Sequence, residues 1–185
     1  PHIGIITNIG AAHIENFKNL RDIADAKGEI INNIQRGGTL ILNKDDKYFN
    51  YLRKKAIKKN LKVVSYGKDK DSYVHLIKMI KSKNKTKLKV KVGNQILIFS
   101  IKNINIYNVL SAIALLDELD LDFKKILKYF EIYQPTEGRG RLHKIYRYSK
   151  NFNLIDESYN ANPVSVKNAI KNFKSIKKRK FKKYL

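Results

Sequence analysis

Short apolar runs alternate with helically spaced apolar positions over the first third of the chain. The runs HIGIIT (2–7), TLILN (39–43) and LKVVSY (61–66) have the length and composition of strands that are buried on both faces. Residues 19–34 and 46–60 place apolar side chains every three or four positions, which is typical of amphipathic helices. Strands that alternate with helices in this way predict a parallel sheet with crossover helices.

The pattern changes after residue 70, where alternation with a period of two replaces the longer runs. Residues 73–81, 86–92 and 95–102 predict three strands, and Gly93-Asn94 predicts a two-residue hairpin turn between the last two. In KLKVKV the lysines fall on one face and Leu and Val on the other, as in an antiparallel sheet with one face in water. We therefore expect an α/β protein with a mostly parallel sheet and a small antiparallel sheet.

The rest of the chain predicts further helices, a glycine-containing loop and another pair of strands. Asp45 is expected to cap the helix over 46–60, and Asn162-Pro163 is a strong start signal for a later helix. The remaining predicted elements are helices at 106–119 and 122–133, a loop at 135–141, strands near 142–147 and 152–156, and a strand in the tail at FKKYL.

The strong positive charge raises the question of whether the protein binds nucleic acid. The chain has 185 residues and a formal net charge of +23, and Lys supplies 32 of its 39 basic residues. Codons made of A and T alone encode Lys, Ile and Asn, so an A/T-rich genome explains the charge more simply than a nucleic-acid surface, which would favour the bidentate Arg. Nucleic acid is not the partner we expect, and a lysine-rich nucleic-acid-binding module stays the alternative from a different class.

Three further features bear on the setting in which the chain works. It contains no cysteine, which fits a reducing cytoplasm, and no apolar run as long as a membrane-spanning helix. It begins with Pro1, and its only methionine is Met79. We therefore expect a fragment of a longer cytoplasmic protein that is a monomer and has no membrane span.

Lys27 lies on the apolar stripe of the helix predicted over 19–34. It follows Leu20 by seven residues and Ile23 by four, so the spacing places it on the side that should be buried. Burial disfavours the charged form of a lysine and so favours a neutral, nucleophilic amine. The ordinary alternative is a side chain whose stem runs along the stripe while its nitrogen reaches water at the edge.

Polar side chains follow the first predicted strand directly, in the stretch TNIGAAHIE (7–15). The carboxyl end of a parallel strand is where open α/β sheets bind ligands, and Thr7 and Asn8 stand there. Imidazole and carboxylate both ligate divalent cations, so His13 and Glu15 predict a metal site. A lone histidine after a strand is more often structural, and that interpretation stays open.

Two later loops combine flexible backbone with polar side chains. GRGR (138–141) offers two guanidinium groups as a phosphate clamp, and its plain alternative is a surface turn. DESYNANP (156–163) places polar residues between a strand and a helix, although Asn and Ser are also common in turns. Asn108 lies in the first turn of a predicted helix, where the alternative is a weak cap. The phosphate-binding pattern G-x-x-x-x-G-K-[ST] does not occur in the sequence.

Four stretches, in this order, resemble motifs of the Mur ligase family of ATP-dependent peptidoglycan-precursor ligases. They are TNIGAAHIENF with ADAKGEI, IYNVLSAIAL, EGRGRLHKI and LIDESYNANPVSVKNAI, and the resemblance runs from about residue 3 to about residue 176. SYNANP resembles the members that add D-alanyl-D-alanine. The resemblance implies the second half of a P-loop-type central domain over 1–148 and the start of a Rossmann-like C-terminal domain over 149–185.

The resemblance also implies chemistry. Such enzymes use ATP and Mg²⁺ to activate a carboxylate of UDP-N-acetylmuramoyl-tripeptide as an acyl phosphate, which the amine of D-alanyl-D-alanine attacks. His13 would hold Mg²⁺ together with an N-carbamate on Lys27, and these two residues would be catalytic. The resemblance assigns nucleotide contacts to Asn108, Arg139, Arg141, Asp156 and Glu157, and substrate contacts to Thr7, Asn8, Ser158, Tyr159, Asn160 and Asn162.

Two residues depart from the family pattern. Glu157 follows Asp156 where many relatives have a second Asp, and Ser111 replaces an Asn one helical turn after Asn108. The family's UDP-binding domain and phosphate loop are missing from this sequence, so we expect the fragment to be inactive alone. A sibling Mur ligase, a folylpolyglutamate synthase-like enzyme and a nonfunctional remnant stay open as alternatives.

Overall fold

The computed structural model describes residues 1–10, 17–82, 85–102, 105–159 and 163–175. Contacts divide the chain into two compact units. Unit 1 holds the described residues up to Gln134, and unit 2 holds those from Pro135 onward. This division falls before the domain boundary expected at 148/149, because a hairpin that spans that position belongs to one unit. The domain assignment itself stays a prediction.

Unit 1 contains one six-stranded sheet with its strands in sequence order. The first four strands pair in parallel and the last three pair antiparallel, which confirms the α/β class and the mixed sheet. The strands are β1 (Ile3–Ile6), β2 (Thr39–Asn43), β3 (Lys62–Gly67), β4 (Val74–Lys81), β5 (Thr86–Val92) and β6 (Gln95–Ile101). The helices are α1 (Leu20–Gly28), α2 (Ile30–Asn33), α3 (Phe49–Lys58), α4 (Ile106–Glu118) and α5 (Phe123–Ile132).

Burial on both faces explains why TLILN is an unbroken apolar strand. All five residues of β2 are buried, and successive side chains point to opposite faces of the sheet. Leu40 and Leu42 pack with residues of α1, α2 and α3, whereas Ile41 packs with Leu110 and Ile113 of α4. Helices therefore cover both faces of the parallel strands, as crossover connections require.

The strands predicted over 73–102 continue the parallel sheet rather than standing apart from it. β3 and β4 pair in parallel at Tyr66 and Gly67, and β4 then begins the antiparallel part. The lysines of β5 lie on the outer face while Leu88, Val90 and Val92 are buried, so the predicted alternation is confirmed. The Gly93-Asn94 turn is also confirmed, because Val92 pairs with Gln95.

Two local predictions in unit 1 were wrong. The single helix expected over 19–34 is interrupted at Glu29, whose N–H donates to the carbonyl of Ala26. Asp45 is not a helix cap, because α3 begins at Phe49 and the Asp45 carboxylate binds the backbone of the loop after β3 instead.

The C-terminal end of α4 is fixed at the edge of the sheet where β2 and β3 begin. Glu118 accepts a hydrogen bond of 2.7 Å from the hydroxyl of Thr39. Its other oxygen lies 2.7 Å from the Nζ of Lys62. The helix is thereby tied to the first residues of two neighbouring strands.

Unit 2 consists of an antiparallel hairpin and a helix. The hairpin is β7 (Arg141–Arg147) with β8 (Lys150–Asp156), and the helix is α6 (Pro163–Ser175). The predicted strand pair and helix are thus confirmed, while Asn162 and the tail at 176–185 lie outside the described residues. Within the part of the chain that the structure describes, no helix has the length and apolar character needed to cross a membrane.

Candidate functional site

The loop after β1 lies at the carboxyl edge of the parallel strands, where a ligand site was predicted. Thr7 and Asn8 are both exposed there. The hydroxyl of the buried Tyr66, on β3, donates a 3.0 Å hydrogen bond to the Thr7 carbonyl. Burial raises the pKa of Tyr66 well above its usual value, so this phenol stays a donor. The backbone of this loop is therefore bound to β3, across the intervening β2, while the Thr7 and Asn8 side chains are exposed.

Lys27 reaches the same loop, but it is not buried. Its Nζ donates a 2.9 Å hydrogen bond to the Asn8 carbonyl, and its side chain is exposed. The buried face of α1 is formed by Ile23, Ala24 and Gly28, so Lys27 stands at the border of the stripe. The prediction of burial was wrong, because helical spacing alone does not separate the edge of a stripe from its centre.

His13 and Glu15 lie outside the described residues, so the structure does not test their predicted roles. Among the described residues, no group of three or more His, Cys, Asp or Glu side chains could hold a metal ion. An unmodified lysine ammonium is only a donor, whereas a carbamate on the same nitrogen would present the oxygen ligands that Mg²⁺ prefers. The described residues therefore fit the expected Mg²⁺ if Lys27 carries a carbamate and His13 supplies a further ligand.

Two aspartates that sequence reasoning did not propose as site residues, Asp45 and Asp46, lie two and three residues after the end of β2. Asp46 accepts a 2.7 Å hydrogen bond from the N–H of Ile9, in the loop after β1. Asp45 accepts a 3.0 Å hydrogen bond from the hydroxyl of Tyr107, at the start of α4. Burial, together with this bond, raises the pKa of Tyr107 to about 12. The signal was available, since these residues also follow a parallel strand, but Asp45 was interpreted as a cap.

Asn108 follows Tyr107 in the first turn of α4. Its side chain is exposed, and its backbone carbonyl accepts the hydroxyl of Ser111 at 2.9 Å. The N-cap is Asn105, whose side chain accepts from the N–H of Tyr107. The alternative of Asn108 as a cap is therefore wrong, and its amide is presented at the carboxyl edge of the sheet.

In unit 2 the structure brings together two stretches that are separated in sequence. The β7–β8 register pairs Arg141 with Asp156, so GRGR lies beside DESY. Asp156 accepts the N–H of Gly138 through one carboxylate oxygen and that of Ser158 through the other, each at 3.0 Å. The N–H of Tyr159 then donates to the Gly138 carbonyl at 3.1 Å. These bonds fix the loop that carries the two predicted arginines.

Each arginine of the loop has a different neighbour. The guanidinium carbon of Arg139 lies 4.2 Å from the centre of the Tyr159 ring, a cation–π arrangement. Arg141 lies 3.3 Å from Glu137 in an exposed pair. Arg139 is thus oriented by stacking on a residue of the other stretch, while Arg141 is paired within its own loop.

The acidic pair that was predicted to contact ribose divides into two environments. Both oxygens of Asp156 already accept backbone N–H groups, and hydrogen bonds from Ser158 first, then Gly138, lower the pKa of Asp156. Glu157 is exposed. The geometry therefore favours Asp156 as the group that shapes the loop and Glu157 as the carboxylate available to a ligand. Asn160 lies, with Asn162, outside the described residues.

Comparisons with known proteins agree with these motifs. The sequence profile of the Mur ligase middle domain matches residues 1–116. A UDP-N-acetylmuramoyl-tripeptide–D-alanyl-D-alanine ligase of Rickettsia prowazekii is 29% identical over 95% of this chain and 39% of its own length. A UDP-N-acetylmuramate–L-alanine ligase of Clostridium tetani is 27% identical over 95% of this chain and 38% of its own.

A solved structure shows the same fold. The crystal structure of MurF from Acinetobacter baumannii superposes with a TM-score of 0.79 at 26% identity, and the match covers 94% of this chain and 37% of that protein. The chain thus spans well under half the length of the relatives it matches.

Proposed function

Because this chain belongs to the Mur ligase family, we propose that the protein it comes from is an ATP-dependent ligase of peptidoglycan synthesis that adds D-alanyl-D-alanine to UDP-N-acetylmuramoyl-tripeptide. The observation that carries the proposal is the joining of GRGR to DESY by the hydrogen bonds of Asp156. The strand pairing brings these two stretches together, and the hydrogen bonds of Asp156 then fix the loop that carries both sets of predicted nucleotide contacts. The SYNANP sequence supports the choice of D-alanyl-D-alanine over another amine.

The reaction joins two substrates with ATP as the phosphate donor. The tripeptide carboxylate attacks the γ-phosphorus, the bond to the bridging oxygen breaks, and ADP leaves. The amine of D-alanyl-D-alanine then attacks the acyl carbon, and the tetrahedral intermediate loses a proton and phosphate to give the amide. Arg139 and Arg141 would stabilise charge on the phosphate oxygens. Asn108 would bind the adenine, and Glu157 the ribose hydroxyl groups.

Residues around the loop after β1 would serve the reacting carboxylate. Thr7 and Asn8 expose polar side chains there, and Lys27 reaches the Asn8 carbonyl. A carbamate on Lys27, with His13, would hold Mg²⁺, which when bound supplies positive charge beside the phosphate oxygens. Ser158, Tyr159, Asn160 and Asn162 would contact substrate. We propose that the protein acts in the cytoplasm as a monomer.

The first experiment is phosphate release by the full-length protein. ATP, Mg²⁺, UDP-N-acetylmuramoyl-tripeptide and D-alanyl-D-alanine are supplied together and then omitted singly. We expect release only when both acceptor substrates are present. Release with UDP-N-acetylmuramate and L-alanine instead would identify a sibling ligase. Absence of release with every combination, from folded protein, would contradict ligase activity.

Lys27→Ala should abolish ligation by the full-length protein, because it removes the nitrogen that we propose carries the carbamate. The measurement is phosphate release with and without added short carboxylic acids, which could replace the missing carboxylate. Lys18→Ala, an exposed lysine shortly before α1, is the matched control and should keep wild-type activity. Full activity of Lys27→Ala would refute the carbamate.

A further inference from the structure

The two aspartates after β2 bind segments to which the proposed function assigns different tasks, contact with the nucleotide and service of the reacting carboxylate. Asp45 binds the start of α4 and the loop after β3, whereas Asp46 binds the loop after β1. The two residues are adjacent in sequence, yet their side chains bind different loops.

Asp45 accepts three hydrogen bonds, from donors in two separate segments. One oxygen accepts the N–H of Lys68 at 2.7 Å and the hydroxyl of Tyr107 at 3.0 Å, and the other accepts the N–H of Asp69 at 3.0 Å. The carboxylate also packs on Gly67, where an added Cβ would lie 2.8 Å from one of its oxygens. A side chain at residue 67 would therefore force this carboxylate to shift.

Tyr107 is held from two directions. Its hydroxyl bonds to Asp45, and the Nζ of Lys68 lies 5.3 Å from the centre of its ring. Tyr107 directly precedes Asn108, so whatever fixes its ring also fixes the first turn of α4 from which the Asn108 amide projects.

Asp46 makes the corresponding connections to the loop after β1. One oxygen accepts the N–H of Ile9 at 2.7 Å, and the other accepts the N–H of Tyr48 at 2.8 Å. Ile9 is buried and directly follows Asn8, whose carbonyl accepts Lys27. Asp46 thereby fixes the stretch of backbone to which Lys27 is bound.

We propose that Asp45 and Asp46 are positioning residues for the two halves of the site in unit 1. Asp45 orients the start of α4 for the nucleotide, and Asp46 orients the loop after β1 for the acyl-transfer chemistry. This inference rests on the proposed function, because the roles of Asn108 and Lys27 belong to it. It predicts that the two neighbouring aspartates affect different kinetic constants.

The test uses the full-length protein and removes one hydrogen bond at a time. Tyr107→Phe keeps the ring and its contact with Lys68 but deletes the bond to Asp45. Loss of a hydrogen bond to a charged group should raise the KM for ATP about tenfold, with a smaller effect on kcat. Asp45→Asn should also raise the KM for ATP. The double variant Tyr107→Phe/Asp45→Asn should have a KM no higher than that of the more impaired single variant.

The chain offers a matched control on the same helix. Tyr73 donates a 2.8 Å hydrogen bond to Asp117, in the last turn of α4 and away from Asn108. Tyr73→Phe deletes a bond of the same chemistry and should leave the KM for ATP at its wild-type value. An equal rise in Tyr73→Phe and Tyr107→Phe would overturn the proposal, since it would indicate general loosening of α4.

Asp46→Asn separates the two roles. It should lower kcat and raise the Mg²⁺ concentration needed, with little change in the KM for ATP. A rise in the KM for ATP equal to that of Asp45→Asn would contradict the division.

Calorimetric titration with ATP gives a readout that does not depend on turnover. If Tyr107→Phe binds ATP more weakly than Tyr73→Phe does, the positioning role is supported, even if the protein has no ligase activity. The lack of ligase activity would contradict only the proposed function. Equal ATP affinity of wild type, Tyr107→Phe and Asp45→Asn overturns the positioning role.

Discussion

Asp45 at the end of β2 and Asp156 at the end of β8 perform the same local task in different surroundings. Each carboxylate accepts backbone N–H groups of a loop that carries predicted site residues. The strand before Asp45 is buried throughout, whereas Leu154 of β8 is 47% exposed and its hairpin neighbours Leu142 and Phe152 are 50% and 46% exposed. In unit 1 the loop therefore rests on a buried strand. In unit 2 the stability of the loop depends more on its hydrogen bonds and on the conformations of its glycines.

This difference teaches where each half of the candidate site is vulnerable. The loops of unit 1 rest on a packed sheet, so removing one hydrogen bond should alter their geometry without unfolding the strands below. The loop of unit 2 has less apolar burial beneath it, so a single unfavourable contact should open it. Three changes in unit 2 probe this contrast.

Gly138→Ala should have the largest effect. The residue has a φ of +74°, and an added Cβ would lie 2.7 Å from the Cβ of Tyr159 and 2.9 Å from its nitrogen. The left-handed conformation alone costs a non-glycine residue about 1–2 kcal/mol, and here backbone atoms block relaxation. Hydrogen exchange of peptides covering 135–159 should rise strongly in the full-length protein.

Gly37→Ala is the control for backbone conformation without collision. Its φ is +79°, but nothing lies within 4 Å of the added Cβ. Gly37→Ala should lower stability only by the cost of the left-handed backbone conformation, and it should leave hydrogen exchange at 135–159 unchanged. Equal exchange at 135–159 in wild type and Gly138→Ala would show that the loop is not held by the contact with Tyr159.

Asp156→Asn should have the next largest effect and should remove a pH dependence. The folded pKa of Asp156 lies below its ordinary value of 3.8, because the Ser158 side chain and backbone and the Gly138 N–H bind the charged form. The stabilisation of the loop by the ionised Asp156 is therefore fully present above pH 3.8, and it is lost as the pH falls through the folded pKa.

Protection of the Gly138 and Ser158 amides from hydrogen exchange measures that contribution. In wild type it should fall on acidification below about pH 4, after correction for intrinsic exchange rates. In Asp156→Asn the side-chain oxygen can still accept one of the two N–H groups, but the amide nitrogen accepts no hydrogen bond, so protection of at least one of the two amides should already be low at neutral pH. An identical pH profile in the two proteins would assign the protection to other groups.

Glu137→Gln should have the smallest effect. It removes an exposed pair with Arg141, and such pairs contribute about 0–1 kcal/mol. Stability should change by less than about 0.5 kcal/mol. Thermal unfolding of the full-length protein measures this, and a large loss would show that the hairpin depends on ion pairs more than on its loop hydrogen bonds.

The sequence predicted the framework of unit 1 well because its strands are short apolar runs between helices. TLILN and KLKVKV carry their burial pattern in the order of their residues, so the parallel and antiparallel parts of the sheet follow directly. Strand pairing also made one non-local contact predictable, since two neighbouring strands around 142–156 necessarily bring Arg141 towards Asp156.

The wrong predictions for Asp45 and Lys27 have a common cause. In each case a pattern in the neighbouring sequence indicated one role, and a hydrogen-bond partner distant in sequence determined another. Asp45 satisfies the local rule for a helix cap, but donors from residues 68, 69 and 107 bind it instead. Lys27 satisfies the spacing rule for a buried face, but the Asn8 carbonyl draws its nitrogen to the edge. Neither partner can be inferred from the residues that flank these positions.

The attachment of α4 at both ends makes its length a fixed dimension of the molecule. Tyr107 is tied to the edge where β2 ends, and Glu118 to the edge where β2 begins. The eleven residue steps from Tyr107 to Glu118 rise roughly 16 Å, a distance similar to that spanned by β2 and the residues just after it. One inserted residue would turn one end by about 100° relative to the other. We therefore expect an insertion in α4 to be tolerated much less well than an insertion of the same length in a surface loop.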